Sequence, residues 1–260
     1  MKINPLFRFA LLAPLAFVAA TVGLVLLAAS WPGDLTQAVE RLFSPTIRSS
    51  IWLSLWTSIL STSLALLVGV PAAYAFARDK IPGRAGLRLL LDLPLVLPPI
   101  VTGLGLLILA GFWPGFATES AGRHFGPLMV IIAQMTLAIP LAVRLLIDTF
   151  ERIPTRVETM SRTLGLSAAH TFVRVSLPLA RNGIVCSALL VWTRALSIFA
   201  PILIFAGAIE QRNDVLPIAI LRDAGGGDLE GAKVMALLLV FVAIIVLLAI
   251  RRLGGRLLVG

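Results

Sequence analysis

Residues 49–77 read SSIWLSLWTSILSTSLALLVGVPAAYAFA, a run with no side chain charged at neutral pH. A helix needs about 20 apolar residues to cross a hydrocarbon core of ~30 Å, and this run is longer. Residues 93–118 are equally free of charge. With these two runs as anchors, membrane spans are predicted at about 9–30, 49–77, 90–112, 125–147, 179–209 and 233–250. The apolar runs at the heart of the fourth and fifth, 125–147 and 182–209, hold one arginine each, Arg144 and Arg194. The last is short, but Lys233 can snorkel and lengthen it. Composition agrees: the chain is 58% hydrophobic and only 13% charged, where soluble domains carry roughly 25% charged residues. Its mean hydropathy is +0.98. The fold class is therefore an all-α integral membrane protein with six transmembrane helices, one domain over residues 1–260.

The first run is ambiguous, because Lys2 and Arg8 ahead of an apolar stretch also describe a signal peptide, and LLAAS before Trp31 resembles a cleavage site. Its length and the five further spans favour a retained first helix. The net charge of +9 would suggest nucleic acid in a soluble protein. Its distribution says otherwise. Of the 22 lysines and arginines, two lie within spans, fourteen fall on the side of the N-terminus and six on the other. Such a bias places both termini in the cytoplasm. The outer loop 210–233 gathers five acids. The basicity reflects topology and contact with lipid, with no nucleic-acid partner. Cys186, the only cysteine, reads as a small buried apolar group.

Catalytic constellations are absent from the sequence. The two histidines, His124 and His170, fall on opposite sides of the membrane in this topology and share no metal. There is no His-Glu-x-x-His, cysteine pair, Ser-His-Asp arrangement or phosphate-binding Gly-x4-Gly-Lys-Ser/Thr. DAGGGDLEG (223–231) lacks the lysine and reads as a flexible outer loop. If the chain belongs to a pump, another chain hydrolyses the ATP. The halves show no repeat of the kind found in many secondary transporters.

One segment is out of character. TRVETMSRTLGLSAAHTFVRVSLPLARNGI (155–184) is polar and basic between two apolar runs, on the cytoplasmic side. Thr155 and Glu158 have capping-box spacing, and Val157, Met160 and Leu164 form an apolar stripe. Gly165 sits where a left-handed C-cap belongs. Ser167 can cap a second helix from Ala168 to about Val175, with Phe172 and Val175 on one face. Leu177-Pro178 is expected to stop it before the next span. Residues 151–178 thus read as helix, glycine hinge, helix. An amphipathic hairpin resting in the lipid interface is one reading, but the apolar stripes are narrow and the first helix carries both charge signs, which suits a protein partner at least as well.

At these residues the chain resembles the integral membrane permease subunits of bacterial ABC importers. Their cytoplasmic signature is Glu-Ala-Ala, three residues, Gly, nine residues, then Ile-x-Leu-Pro. Here Gly165 is followed by nine residues and Val175-Ser176-Leu177-Pro178, and RTLG (162–165) is a common approach to the glycine. Thr159-Met160-Ser161 stand where Glu-Ala-Ala belongs, and Glu158 is one residue early. The resemblance implies a type I ABC importer permease fold. It also implies that Arg162, Thr163, Leu164, Gly165, Ser167, His170, Phe172, Arg174, Val175, Leu177 and Pro178 couple to a separate ATPase. ATP and Mg would be held there, with no cofactor in this chain.

LDLPLVLPPIVTGLGLL (91–107) and RALSIFAPILIFAGAIEQRNDVLPIAI (194–220) resemble the molybdate, tungstate and sulfate permeases. Those relatives show Arg-Ala-Leu-Gly-Glu-Phe-Gly, whereas Ser197, Ile198 and Ala200 replace Gly, Glu and Gly here. The implied assembly is two copies of the permease, two ATPase subunits and a periplasmic or lipid-anchored binding protein at the bacterial cytoplasmic membrane. Iron(III) or another small solute is the alternative cargo; an ion-coupled secondary transporter or a scaffold are the rivals outside the class. Arg194 lies about 20 Å deep along its helix, a costly place for a charge. With Thr102 and Ser197 it is the candidate for the translocation path. Arg144 is expected to snorkel to the cytoplasmic edge near Asp148.

Overall fold

A computed structural model describes residues 5–30, 35–79, 81–112, 119–205 and 214–254. Its helices are α1 (Pro5–Ser30), α2 (Leu35–Leu42), α3 (Pro45–Arg78), α4 (Arg84–Val96), α5 (Pro99–Gly111), α6 (Glu119–Glu151), α7 (Thr155–Thr163), α8 (Ala168–Thr171), α9 (Leu177–Ser197), α10 (Ala200–Phe205), α11 (Leu216–Gly225) and α12 (Leu229–Gly254). Four helices are long and apolar enough to cross a bilayer: Pro45–Arg78, Gly126–Glu151, Ala168–Ser197 and Leu229–Leu253. The bent pair α4 and α5 makes a fifth if counted as one span, and α1 carries the shorter apolar stretch Leu12–Ala28.

The centre of the bundle is α3 packed along α6, with α9 against both. Small and polar side chains on one face of α3 permit the close approach: Ser50, Ser54, Thr57, Ser58, Ser61 and Ala65 are all buried. In lipid these hydroxyls need partners, and the neighbours supply them. Ser61 Oγ donates to Gln134 Oε1 at 2.7 Å, and Gln134 Nε2 donates to Thr57 Oγ1 at 3.4 Å and to the Ala195 carbonyl at 3.3 Å. Trp192 Nε1 donates to Ser58 Oγ at 3.0 Å. Gln134, 1% exposed, thereby ties α6 to α3 and α9. Toward the side that the positive-inside rule places in the cytoplasm, the core becomes aliphatic and aromatic around Phe76, Leu146, Ile147 and Phe150. A separate cluster of Val130, Leu137, Ile202 and Val215 packs the outer half. Large apolar side chains such as Phe17, Leu24, Phe241 and Leu248 stay exposed, as lipid-facing groups do.

Two spans differ from the expected rods. The third, expected at 90–112, is broken at Leu97-Pro98 and bent by 105°. Pro98 and Pro99 have no N–H to continue the ladder, and the residue before a proline is pushed out of the α region. Gly103 then lets α5 pass close to α10, since a Cβ there would lie 2.8 Å from Pro201 Cα. The fifth span, expected at 179–209, is interrupted at Ile198 before α10; its residues 206–209 lie outside the described residues. Charged side chains on one face hold α4 antiparallel to the end of α6. Arg84 Nη2 lies 2.8 Å from Glu151, and Arg144 Nη1 lies 2.9 Å from Asp92. Arg144 thus has a carboxylate partner on the preceding span, Asp92.

The glycine-rich stretch 223–231, expected to be a flexible loop, is a structured turn. Asp228 N donates to the Asp223 carbonyl, Asp228 accepts from Gly231 N, and Arg41 of α2 holds the Asp228 carboxylate at 2.6 Å.

Candidate functional site

The cytoplasmic hairpin begins with α7. Its N-cap is Pro154, with no side-chain cap, so the expected capping box does not form. Thr155 already lies inside the helix, and Glu158 turns away from the helix start into the protein, where it is 5% exposed. There Arg78 Nε and Nη2 donate to its two oxygens at 2.8 and 3.0 Å, and Ser176 Oγ donates at 2.7 Å. Tyr74 OH lies 3.4 Å away. Arg78 Nη2 also donates to the carbonyls of Phe150 and Ile153, both at 3.0 Å, capping the end of α6. Four segments thus converge on one ion pair. A buried charge pair holds only where the remaining hydrogen-bonding groups are met, and here they are.

Beyond Glu158, α7 ends as the glycine predicts. Gly165 has φ +92°, and Gly165 N and Leu166 N donate to the carbonyls of Arg162 and Ser161. This is the paired bonding of a Schellman cap. Ser167 caps α8 by accepting from His170 N, as expected, and its hydroxyl also lies 2.8 Å from His170 Nδ1. Ser161 and Thr171 hydroxyls, 3.0 Å apart and buried, fasten α7 to α8.

The expected stop at Leu177-Pro178 does not occur. Residues 168–197 form one continuous helix with a π-turn over Phe172–Ser176, where Leu177 N donates to the Phe172 carbonyl. The wider turn accommodates Pro178, which has no N–H for an ordinary α-helical bond. Hairpin and membrane span are therefore a single body. Phe172 points inward, its ring 4.6 Å from that of Tyr74 and 6.4 Å from that of Phe150. Val175 and Leu177 are half-buried beside it, and Pro178 is exposed.

Arg162, Thr163, Leu164, Gly165, Ser167, His170 and Arg174 remain exposed. Leu164 is 86% exposed at the tip, with Met160 and Val173 nearby in sequence also bare. Sequence reasoning missed Arg78, counted only as a topology charge, and Tyr74, the single tyrosine. Their i,i+4 spacing at the end of α3 was the available signal.

The three mid-membrane candidates do not form one cluster of contacts. Thr102 is half-buried in the first turn of α5, where its hydroxyl donates to the Pro99 carbonyl at 2.6 Å. Ser197 is exposed and donates to the Arg194 carbonyl at 3.0 Å, beside a cavity of about 230 Å³ between α9 and α12. Arg194 is exposed, and its guanidinium has no hydrogen bond or ion pair among the described residues. No group of three His, Cys, Asp or Glu among those residues can hold a metal.

Broken and continuous apolar helices thus carry a hairpin whose tip is bare on one face. The chain belongs to the binding-protein-dependent transport system inner membrane component family, whose model matches residues 65–258. It is thus a multi-pass permease subunit. It is 32% identical to a molybdenum transport system permease protein of Mycobacterium tuberculosis, over 96% of this chain and 93% of that one. It is 28% identical to a molybdate/tungstate transport system permease protein of Thermococcus kodakarensis, over 93% and 92%. A sulfate transport system permease protein of Synechocystis is 29% identical over 80% and 77%. Its fold matches that of a chain in a bacterial alginate ABC transporter, solved with a pentasaccharide-bound periplasmic protein, at a TM-score of 0.69 and 15% identity, covering 96% and 94%.

Proposed function

We propose that this permease forms the translocation path for a tetrahedral oxyanion, molybdate or tungstate first and sulfate second, across the bacterial cytoplasmic membrane. Two copies of the chain would enclose the path, and two copies of a separate ATPase, holding ATP and Mg, would drive it. A periplasmic or lipid-anchored binding protein would deliver the anion. The chain itself would supply no catalytic group.

The observation that carries the coupling reading is the tip of the hairpin. Leu164, 86% exposed, belongs to a segment in which Arg162, His170 and Arg174 are also exposed and which Glu158 anchors from inside. An exposed apolar knob in a basic segment, on a base tied down by a buried ion pair, fits a groove on another protein. The cargo reading is supported by the named cargoes of the relatives and by Arg194, a cation at membrane depth without a counter-charge among the described residues. A lone charge there is costly unless it faces water or a passing anion.

The test is uptake into liposomes holding the permease with a candidate ABC ATPase and binding protein from the same organism. ATP-dependent molybdate uptake, competed by tungstate, is expected. Uptake of iron(III) with indifference to both oxyanions would overturn the cargo reading. Proton-driven uptake without any ATPase would overturn the coupling reading.

A further inference from the structure

We infer that α3 is a rod linking the cytoplasmic hairpin to the outer-face helix α11, with Arg78 and Ser54 as its two joints; this rests on the proposed docking of an ATPase at that hairpin. The helix has 34 residues, about 50 Å at 1.5 Å per residue, enough to exceed the bilayer core at both ends. Its inner joint is the Arg78–Glu158 pair, whose side chains are 11% and 6% exposed. Because Arg78 also holds the carbonyls of Phe150, in the last turn of α6, and of Ile153 just beyond it, and Ser176 of the π-turn holds Glu158, displacement of α7 cannot leave α3 behind without breaking a buried charge pair.

The outer joint is Ser54. Its Oγ accepts from Leu216 N at 2.6 Å, and both residues are buried. Leu216 is the first residue of α11, whose own N-cap, Val215, has no side-chain acceptor to offer. A helix start leaves its first N–H groups unsatisfied, so α3 supplies from a different span the cap that α11 lacks. Ile47 of α3 packs in the same small cluster as Leu216 and Ala219. Between the joints, the bonds of Thr57 and Ser61 to Gln134 keep α3 in register with α6. Arg78, Glu158, Ser176 and Ser54 are positioning residues for coupling; none is placed in contact with cargo or nucleotide.

The experiment uses the whole permease–ATPase complex and no cargo. A Ser49→Cys variant in a Cys186→Ser background leaves a single thiol in this chain, at the exposed outer end of α3. Its alkylation by a membrane-impermeant maleimide is followed with and without ATP and vanadate, and read on the permease peptide. Coupling of about 0.5–2 kcal/mol corresponds to rate ratios of roughly two- to thirty-fold, and a ratio in that range is expected with the inner joint intact. Adding Glu158→Gln should bring the ratio to about one while the ATPase still co-purifies. Ser176→Ala removes one bond to Glu158 and keeps the charge pair, so it should lower the ratio part-way; it decides the matter should the Gln variant not insert. An unchanged ratio in both variants, or no nucleotide effect with the joint intact, overturns the proposal. Failure of the intact chain to retain the ATPase instead removes the docking reading itself, and the rod's role falls with it.

Discussion

Arg78 and Glu158 show how a charge can be kept inside a membrane-protein core. Each is poorly exposed, so desolvation opposes the pair, and the Ser176 hydroxyl and the carbonyls of Phe150 and Ile153 complete the compensation. Arg78→Met would leave the Glu158 carboxylate buried without a counter-charge. A loss of about 3–5 kcal/mol is expected, checked by denaturant unfolding in detergent. Asp228, on the outer surface, behaves differently. Its hydrogen bond from Gly231 N, and then its contact with Arg41, hold its carboxyl below the usual carboxylate value. As pH falls, the unfolded chain takes up this proton first. The contribution is therefore complete above the ordinary carboxylate pKa and is lost as pH falls through the lowered folded value. Asp228→Asn should flatten the acid limb of thermal unfolding slightly, while leaving the neutral-pH midpoint little changed because the pair is solvent-screened. The spacing of Glu158 to Thr155 suggests a local cap, but a capping pattern cannot reveal a guanidinium 80 residues away in sequence. Local chemistry is legible there; the long-range partner is not.

Among the elements, apolar run length locates the spans, because hydrocarbon imposes that length directly. Helix interruptions are harder to read. Pro98-Pro99 bends the third span by 105°, whereas Pro178 is absorbed by a π-turn in a continuous helix. The difference lies in what surrounds each proline. Ser176, inside the π-turn, is fastened to Glu158, while α4 has no fully buried residue to hold it in line with α5. Gly165, by contrast, is legible because only a residue tolerant of positive φ ends α7 as a Schellman cap. Open space surrounds it, so Gly165→Ala adds backbone strain alone. About 1 kcal/mol is expected, seen as faster amide exchange in α7 and not as global unfolding. Gln134→Leu leaves Ser61 and Thr57 without their cross-helix partner. A cost of about 1–2 kcal/mol is expected for these lost interhelical bonds, measured by detergent unfolding.

From exposed tip to membrane, the permease is one body. The tip residue Leu164 is 86% exposed, while the base of the hairpin is locked to α3, α6 and α9. This separation of surface from anchor means that the proposed docking of an ATPase at the hairpin can be tested without disturbing the fold. The decisive measurement is co-purification of a candidate ABC ATPase from the same organism with the native chain and with Leu164→Asp, in mild detergent with ATP. The native chain is expected to retain the ATPase. Leu164→Asp is expected to lose it while eluting at the same position and unfolding at the same denaturant concentration. An ATPase that binds both chains equally, or neither, would contradict the docking role.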